Sequence, residues 1–280
     1  MAKFIKLNFN LKDGVVTMRF KKFFAALVFV LVIASCVSAH ELTIKPKHEN
    51  YKIKAGEPIE FTVQSAHKFI VPEEVEVLER VKAGIIINNK LEESKLKAND
   101  KDLCIDFTVT PKDDKGALIL TAIKDGETWS ITNEGGKTGA RSELEAKGLK
   151  VLRATKNDKY AKAIFNSSHE DKNYKIILNQ PLEIIPLNNP ADIKVGDYFN
   201  VKILLNGQPY SGPVWATYDG FVTEYENTYA YYTEAENGEA HIKITAPGFW
   251  GIRAYQGGLP GKAGDYDALT LRAFLLFEIK

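Results

Sequence analysis

Short runs of alternating or continuous apolar residues recur along most of the chain. Ile59-Glu-Phe-Thr-Val, Ala117-Leu-Ile-Leu-Thr-Ala-Ile, Tyr174-Lys-Ile-Ile-Leu, Tyr198-Phe-Asn-Val-Lys-Ile-Leu-Leu and His241-Ile-Lys-Ile-Thr-Ala are all strand-sized. Turn signals separate them: Ala55-Gly56, Asp114-Lys115-Gly116, Asp125-Gly126, Asn206-Gly207 and Asn237-Gly238. Asn206-Gly207 is the best hairpin signal, because both residue types tolerate positive φ. Helix candidates are few; Asp158 to Phe165 has the length of a short one. The lysine-rich stretch Lys90 to Lys101 reads as a solvated loop or short helix.

This pattern predicts an all-β protein made of two β-sandwich-like domains. The boundary falls near Asn179 to Leu182. Residues 40–181 form an N-terminal β domain. Residues 182–280 have the size and run count of an immunoglobulin-like sandwich, with Trp215 and Trp250 as core candidates.

A different pattern opens the chain. Arg19, Lys21 and Lys22 flank the apolar run Phe23 to Ala34, and Val37-Ser-Ala39 supplies small residues for cleavage. This is the three-part secretory signal, and the run is too short to be a good bilayer span. Met18 opens a stretch that is a complete signal by itself. Cleavage after Ala39 leaves His40 first. A second route is open: Ile33-Ala-Ser-Cys36 fits a lipoprotein box, which makes Cys36 a lipid anchor. Either way the expected location is periplasmic or otherwise exported, with no transmembrane segment in the mature chain.

Charge and cysteine content then narrow the function. Residues 1–39 carry six basic residues and one acid, so their removal turns a net charge of +1 into 31 basic against 35 acidic residues, a net of −4. A mildly acidic protein offers no nucleic-acid footprint. Cys104 is left without a partner for an internal disulfide, in an alternating strand pattern that suits a buried small hydrophobe. Enzyme motifs are lacking. Gly135-Gly-Lys-Thr138 misses the earlier glycine of a phosphate loop, because Ile131 stands there, and reads as a turn. There is no GxSxG, HExxH or CxxC. The chain reads as a binding protein, not an enzyme.

Five histidines remain as ligand candidates: His40, His48, His67, His169 and His241. After cleavage at Ala39, the α-amino group and imidazole of His40 chelate one ion from a single residue, a donor set suited to copper, nickel and zinc. His67 follows a predicted strand and is the second candidate; Glu41 and His169 are possible helpers. His48 sits in a charged stretch and reads as solvated, and His241 opens a strand and reads as half-buried.

Several blocks resemble the DUF4198 family of exported bacterial proteins. They are His40-Glu-Leu-Thr-Ile-Lys-Pro46, Gly56-Glu-Pro-Ile-Glu-Phe, His67-Lys-Phe69, Gln180-Pro-Leu-Glu-Ile-Ile-Pro-Leu-Asn-Asn-Pro190, Val195-Gly-Asp-Tyr-Phe-Asn-Val-Lys-Ile-Leu-Leu-Asn-Gly-Gln-Pro209, Pro213-Val-Trp-Ala-Thr-Tyr218 and Ala246-Pro-Gly-Phe-Trp250. Thr233-Glu-Ala-Glu-Asn-Gly238 is one residue longer than the family's usual turn. The resemblance implies β-sandwich architecture, export, and a periplasmic role in nickel or cobalt uptake beside a membrane transporter. The expected function is therefore transition-metal binding, with nickel, cobalt or copper held by His40, His67, His169 and Glu41. Two other readings stay open. One is a cell-surface module binding a glycan or protein through the aromatic run Tyr218 to Tyr232. The other is a copper protein that uses an N-terminal His40.

Overall fold

The computed structural model describes residues 40–221, 224 and 228–280. The expected signal segment, with Cys36 and the Ala39 cleavage site, lies outside the described residues.

The described chain is almost all β, as the alternating runs predict, and has a β-sandwich-like build. One four-stranded sheet joins β1 (Glu41–Pro46), β2 (Ile59–Ala66), β6 (Cys104–Val109) and β5 (Lys97–Asn99), in that order. A second has β11 (Leu182–Pro186), β12 (Tyr198–Leu205) and β13 (Gln208–Pro209), with β16 (Glu239–Lys243) also paired to β12. Between them lies a ten-stranded sheet. Its path runs from β15 (Tyr231–Ala235) and β14 (Gly212–Tyr218) through β17 (Gly248–Lys262), β18 (Tyr266–Ile279) and β10 (Val151–Phe165). It ends with β7 (Leu118–Lys124), β3 (Val81–Ile87) and β4 (Lys90–Glu93), while β8 (Thr128–Thr132) and β9 (Gly135–Thr138) branch from β10. The one α-helix among the described residues is α1 (Arg141–Ala146).

The large sheet is the middle layer because its central strands are apolar on both faces. On β10, Tyr160 and Ile164 enter one core, while Ala161, Ala163 and Phe165 enter the other. On β18, Leu271, Ala273, Leu275, Phe277 and Ile279 join the first core and Leu276 the second. Successive strand side chains point to opposite faces, so each small sheet covers one face. Leu182, Phe199 and Ile242 close the first core; Leu42, Phe61 and Phe107 close the second.

This corrects the expected division at residue 182. Residues 40–280 form one compact unit. Strand β18 pairs in parallel with β10 from Thr155↔Ala268 to Ile164↔Phe277, so residues 182–280 share a sheet with what precedes them. Asp158 to Phe165 is strand, not helix, because it is covered on both faces. Lys90 to Lys101 supplies the edge strands β4 and β5. Tyr174 to Leu178 is a 3-10 turn at Asn173–Lys175 followed by loop, and Gly135 to Thr138 is a strand, not a turn. Trp250 is fully buried, but Trp215 sits on the other face of the sheet from it and stacks on Arg253. The Asn206-Gly207 hairpin forms as expected between β12 and β13, with φ of 50° and 76°. Cys104 is buried in β6, where burial and the neighbouring Asp106 push its thiol up to about 12.

Candidate metal centre

Strands β1 and β2 are antiparallel, and Glu41 pairs with Ala66. One residue further out, the same register sets His40 opposite His67. Their rings meet with centroids 4.0 Å apart. The chain then turns back. Val71 N–H donates to the Lys68 carbonyl, and Ile70 adopts φ of 50° with its side chain buried in the second core. Positive φ is costly for a β-branched residue, so burial of Ile70 holds this turn in place. The returning segment is fixed when Glu73 N–H donates to the Ser65 carbonyl at 3.1 Å and Ser65 bridges Glu74.

That return delivers Glu73 between the two rings. Its Oε1 accepts from the backbone N–H groups of His67 at 3.2 Å and Lys68 at 3.3 Å. Its Oε2 lies 2.8 Å from His67 Nδ1 and 3.2 Å from His40 Nε2. Burial alone would raise this carboxyl. The hydrogen bonds from His67 and the two backbone N–H groups outweigh it, and the group stays below its ordinary value. Ligand atoms of His40, His67 and Glu73 all lie within 4.8 Å of one another. Around a tetrahedral ion with bonds near 2.1 Å, donors sit about 3.4 Å apart, so closure onto an ion needs little movement. Among the described residues, this is the group of three or more His, Cys, Asp or Glu with such spacing.

The expected helpers fall elsewhere. Glu41 points to the opposite side of β1 from Leu42, and its carboxylate is held by Arg272 Nη1 at 2.5 Å and Arg253 Nε at 2.8 Å. It lines a cavity of only about 10 Å³ next to His67, but two guanidinium groups already claim its charge. His169 stands on the surface, its Nδ1 2.5 Å from Asp192 Oδ1, beside a separate groove lined by Tyr51 and Glu278. Neither joins the centre. His48 is exposed beside Glu60, as expected, and His241 is exposed beside Asn200 rather than half-buried. The aromatic run is divided. Tyr218 packs on Trp250 and Phe221, Tyr229 is pushed up to about 12 by burial, Tyr232 is exposed, and Tyr225 lies outside the described residues.

Glu73 and Glu74 went unnoticed in the sequence. Their signal was Pro72-Glu-Glu-Val-Glu76, an acidic run starting six residues after His67. A return turn at the end of β2 would have suggested it.

An all-β protein with two imidazoles and a carboxylate gathered at one sheet edge defines the class. The family follows from the chain itself: residues 37–257 match the model of the Domain of unknown function (DUF4198), and the protein belongs to that family. It is also similar to signal peptidase IB of Staphylococcus aureus strain COL, at 34% identity over 116 residues, 39% of this chain and 59% of that one. The same enzyme from strain Mu50 / ATCC 700699 matches over the same lengths. The chain thus spans 59% of the length of these curated relatives. Among solved structures, the titin domains z1z2 in complex with telethonin align over 87% of this chain and 97% of theirs. With 9% identity and a TM-score of 0.18, that likeness carries no argument. No helix among the described residues is long and apolar enough to cross a membrane.

Proposed function

We propose that this protein is an exported binding protein, not an enzyme, that holds a divalent transition-metal ion for uptake, nickel or cobalt first. His40 Nε2, His67 Nδ1 and Glu73 Oε2 are the ligands. The observation that carries this reading is that a ligand atom of each of the three residues lies within 4.8 Å of the other two. Two imidazole nitrogens and one carboxylate oxygen form a borderline donor set suited to nickel, cobalt, copper and zinc. Three protein ligands leave positions open, which suits an ion that must be handed on to a membrane transporter. Removal of residues 1–39 would free the α-amino group of His40, but that amine chelates only together with Nδ1, which Glu74 engages, so the ligand set stays His40 Nε2, His67 and Glu73. Export follows from the same segment.

Calorimetric titration of the purified protein with nickel and cobalt chloride tests the reading. One ion binds per chain, and His67→Ala and Glu73→Ala each weaken binding at least tenfold. A parent protein that takes up no ion, or variants that bind as well as the parent, would reject it. N-terminal sequencing of the exported protein, starting at His40, checks the processing.

A further inference from the structure

Behind the centre lies a connected set of side chains that the ligand roles leave unexplained. His40 Nδ1, the nitrogen turned away from Glu73, is 2.6 Å from Glu74 Oε1. Ser65 Oγ lies 3.3 Å from that same oxygen and donates to Glu76 Oε1 at 2.7 Å. Glu76 in turn accepts from Lys159 at 3.0 Å and from Lys124. Glu76, Lys124 and Lys159 are all buried.

The geometry assigns Glu74 as a positioning residue that accepts the Nδ1–H of His40 and so commits His40 Nε2 to the ion, with Ser65 and Glu76 fixing Glu74 in place. This rests on the metal reading above. A neutral imidazole carries one proton, and the hydrogen bond made by one ring nitrogen decides which nitrogen is left for a metal. With the proton on Nδ1, the shorter contact becomes the hydrogen bond, and the Nε2 lone pair faces Glu73 Oε2 at the longer 3.2 Å, a gap that an ion would bridge. With the proton on Nε2, a lone pair would face the Glu74 carboxylate at 2.6 Å, an arrangement with no hydrogen bond. Glu74 is placed by its neighbours. Its backbone bridges Ser65, and Glu76 lies two residues on. Side chains two apart on an extended segment share a face. Anchoring Glu76 between two buried lysines therefore turns Glu74 to the same side, where His40 stands.

The test reads the ring itself. In the metal-free full chain at pH 8, nitrogen NMR of the His40 imidazole should report the Nδ1–H form. Glu74→Ala should shift His40 toward the Nε2–H form and weaken nickel binding about 10- to 100-fold, the range seen for such supporting residues. Glu74→Gln keeps an acceptor oxygen and should restore most of both. Glu74 is partly exposed, so these variants should fold, and circular dichroism checks that they do. A parent that binds no nickel overturns the metal reading alone, because the His40 proton is still read without metal. A His40 that keeps its Nδ1–H form in Glu74→Ala, with nickel binding unchanged, overturns the positioning role.

Discussion

Strand β10 buries one lysine on each face, and the two are satisfied in different ways. Lys162 faces the first core. Its ammonium donates to Glu183 Oε1 at 2.6 Å and to the carbonyls of Ile176 and Ile184 at 3.0 and 3.3 Å. Glu183 also accepts from the backbone N–H groups of Leu178 and Gln180. Every contact ends on the core or on backbone, so the pair is closed. It ties β10 to β11 and to the loop before it. Lys159 faces the second core, directly across from Lys124 on β7. Two like charges in register repel, and Glu76 between them offsets this. Burial lowers the pKa of both Lys159 and Lys162, with Glu76 and Glu183 opposing it. The second cluster is open at one end: Ser65 links Glu76 to Glu74 and the histidines. The same chemistry staples the fold on one face and supports a site on the other.

The comparison breaks most sharply at Lys162. Lys162→Met leaves Glu183 buried with no cation, and removal of one partner of such a pair costs about 3–5 kcal/mol. Urea denaturation should show that loss. Nickel binding by the folded variant should match the parent, because no contact runs from this pair to His40.

Glu76 sharpens the comparison through pH. Burial alone would raise its carboxyl, but Lys159, Lys124 and Ser65 hold it down to about 2 against an ordinary 4.5. A carboxyl with a depressed folded value stabilises the fold above the unfolded value, and that contribution fades as pH falls toward 2. At neutral pH it is on the order of 3 kcal/mol. The melting temperature of the parent should therefore fall between about pH 4.5 and 2. In Glu76→Gln, this stretch of the profile should flatten and the variant should start lower at pH 7. Nickel affinity should also drop, unlike in Lys162→Met.

Part of this was legible from the sequence. Alternation at Ile59–Val63 and Tyr198–Leu205 names strands, and His67 follows the first of them. Local pattern cannot report pairing across a hundred residues. The β10–β18 pair joins Thr155 to Ala268, and the β10 stretch Asp158 to Phe165, apolar on both faces, reads locally as a short helix. Glu73 and Glu74 were hidden for another reason. They reach the histidines through a turn that Ile70 makes at positive φ, which nothing in its residue type announces. Glu41 misled by adjacency, since neighbours on a strand point to opposite faces.

The smallest expected effect belongs to His169. Residue type alone made it a candidate helper, and its hydrogen bond to Asp192 at 2.5 Å looks strong on paper. Both side chains are more than half exposed, at 79% and 52%. Water screens an ion pair of that kind, and ordering two surface side chains offsets much of what remains. Neither partner reaches the buried clusters on the two faces of β10. His169→Ala should therefore change stability by no more than about 0.5 kcal/mol. It should also leave nickel binding at the parent value when titrated beside His67→Ala. A tenfold loss of affinity in His169→Ala would mean that this histidine reaches the ion, and that the Glu73-centred ligand set is wrong.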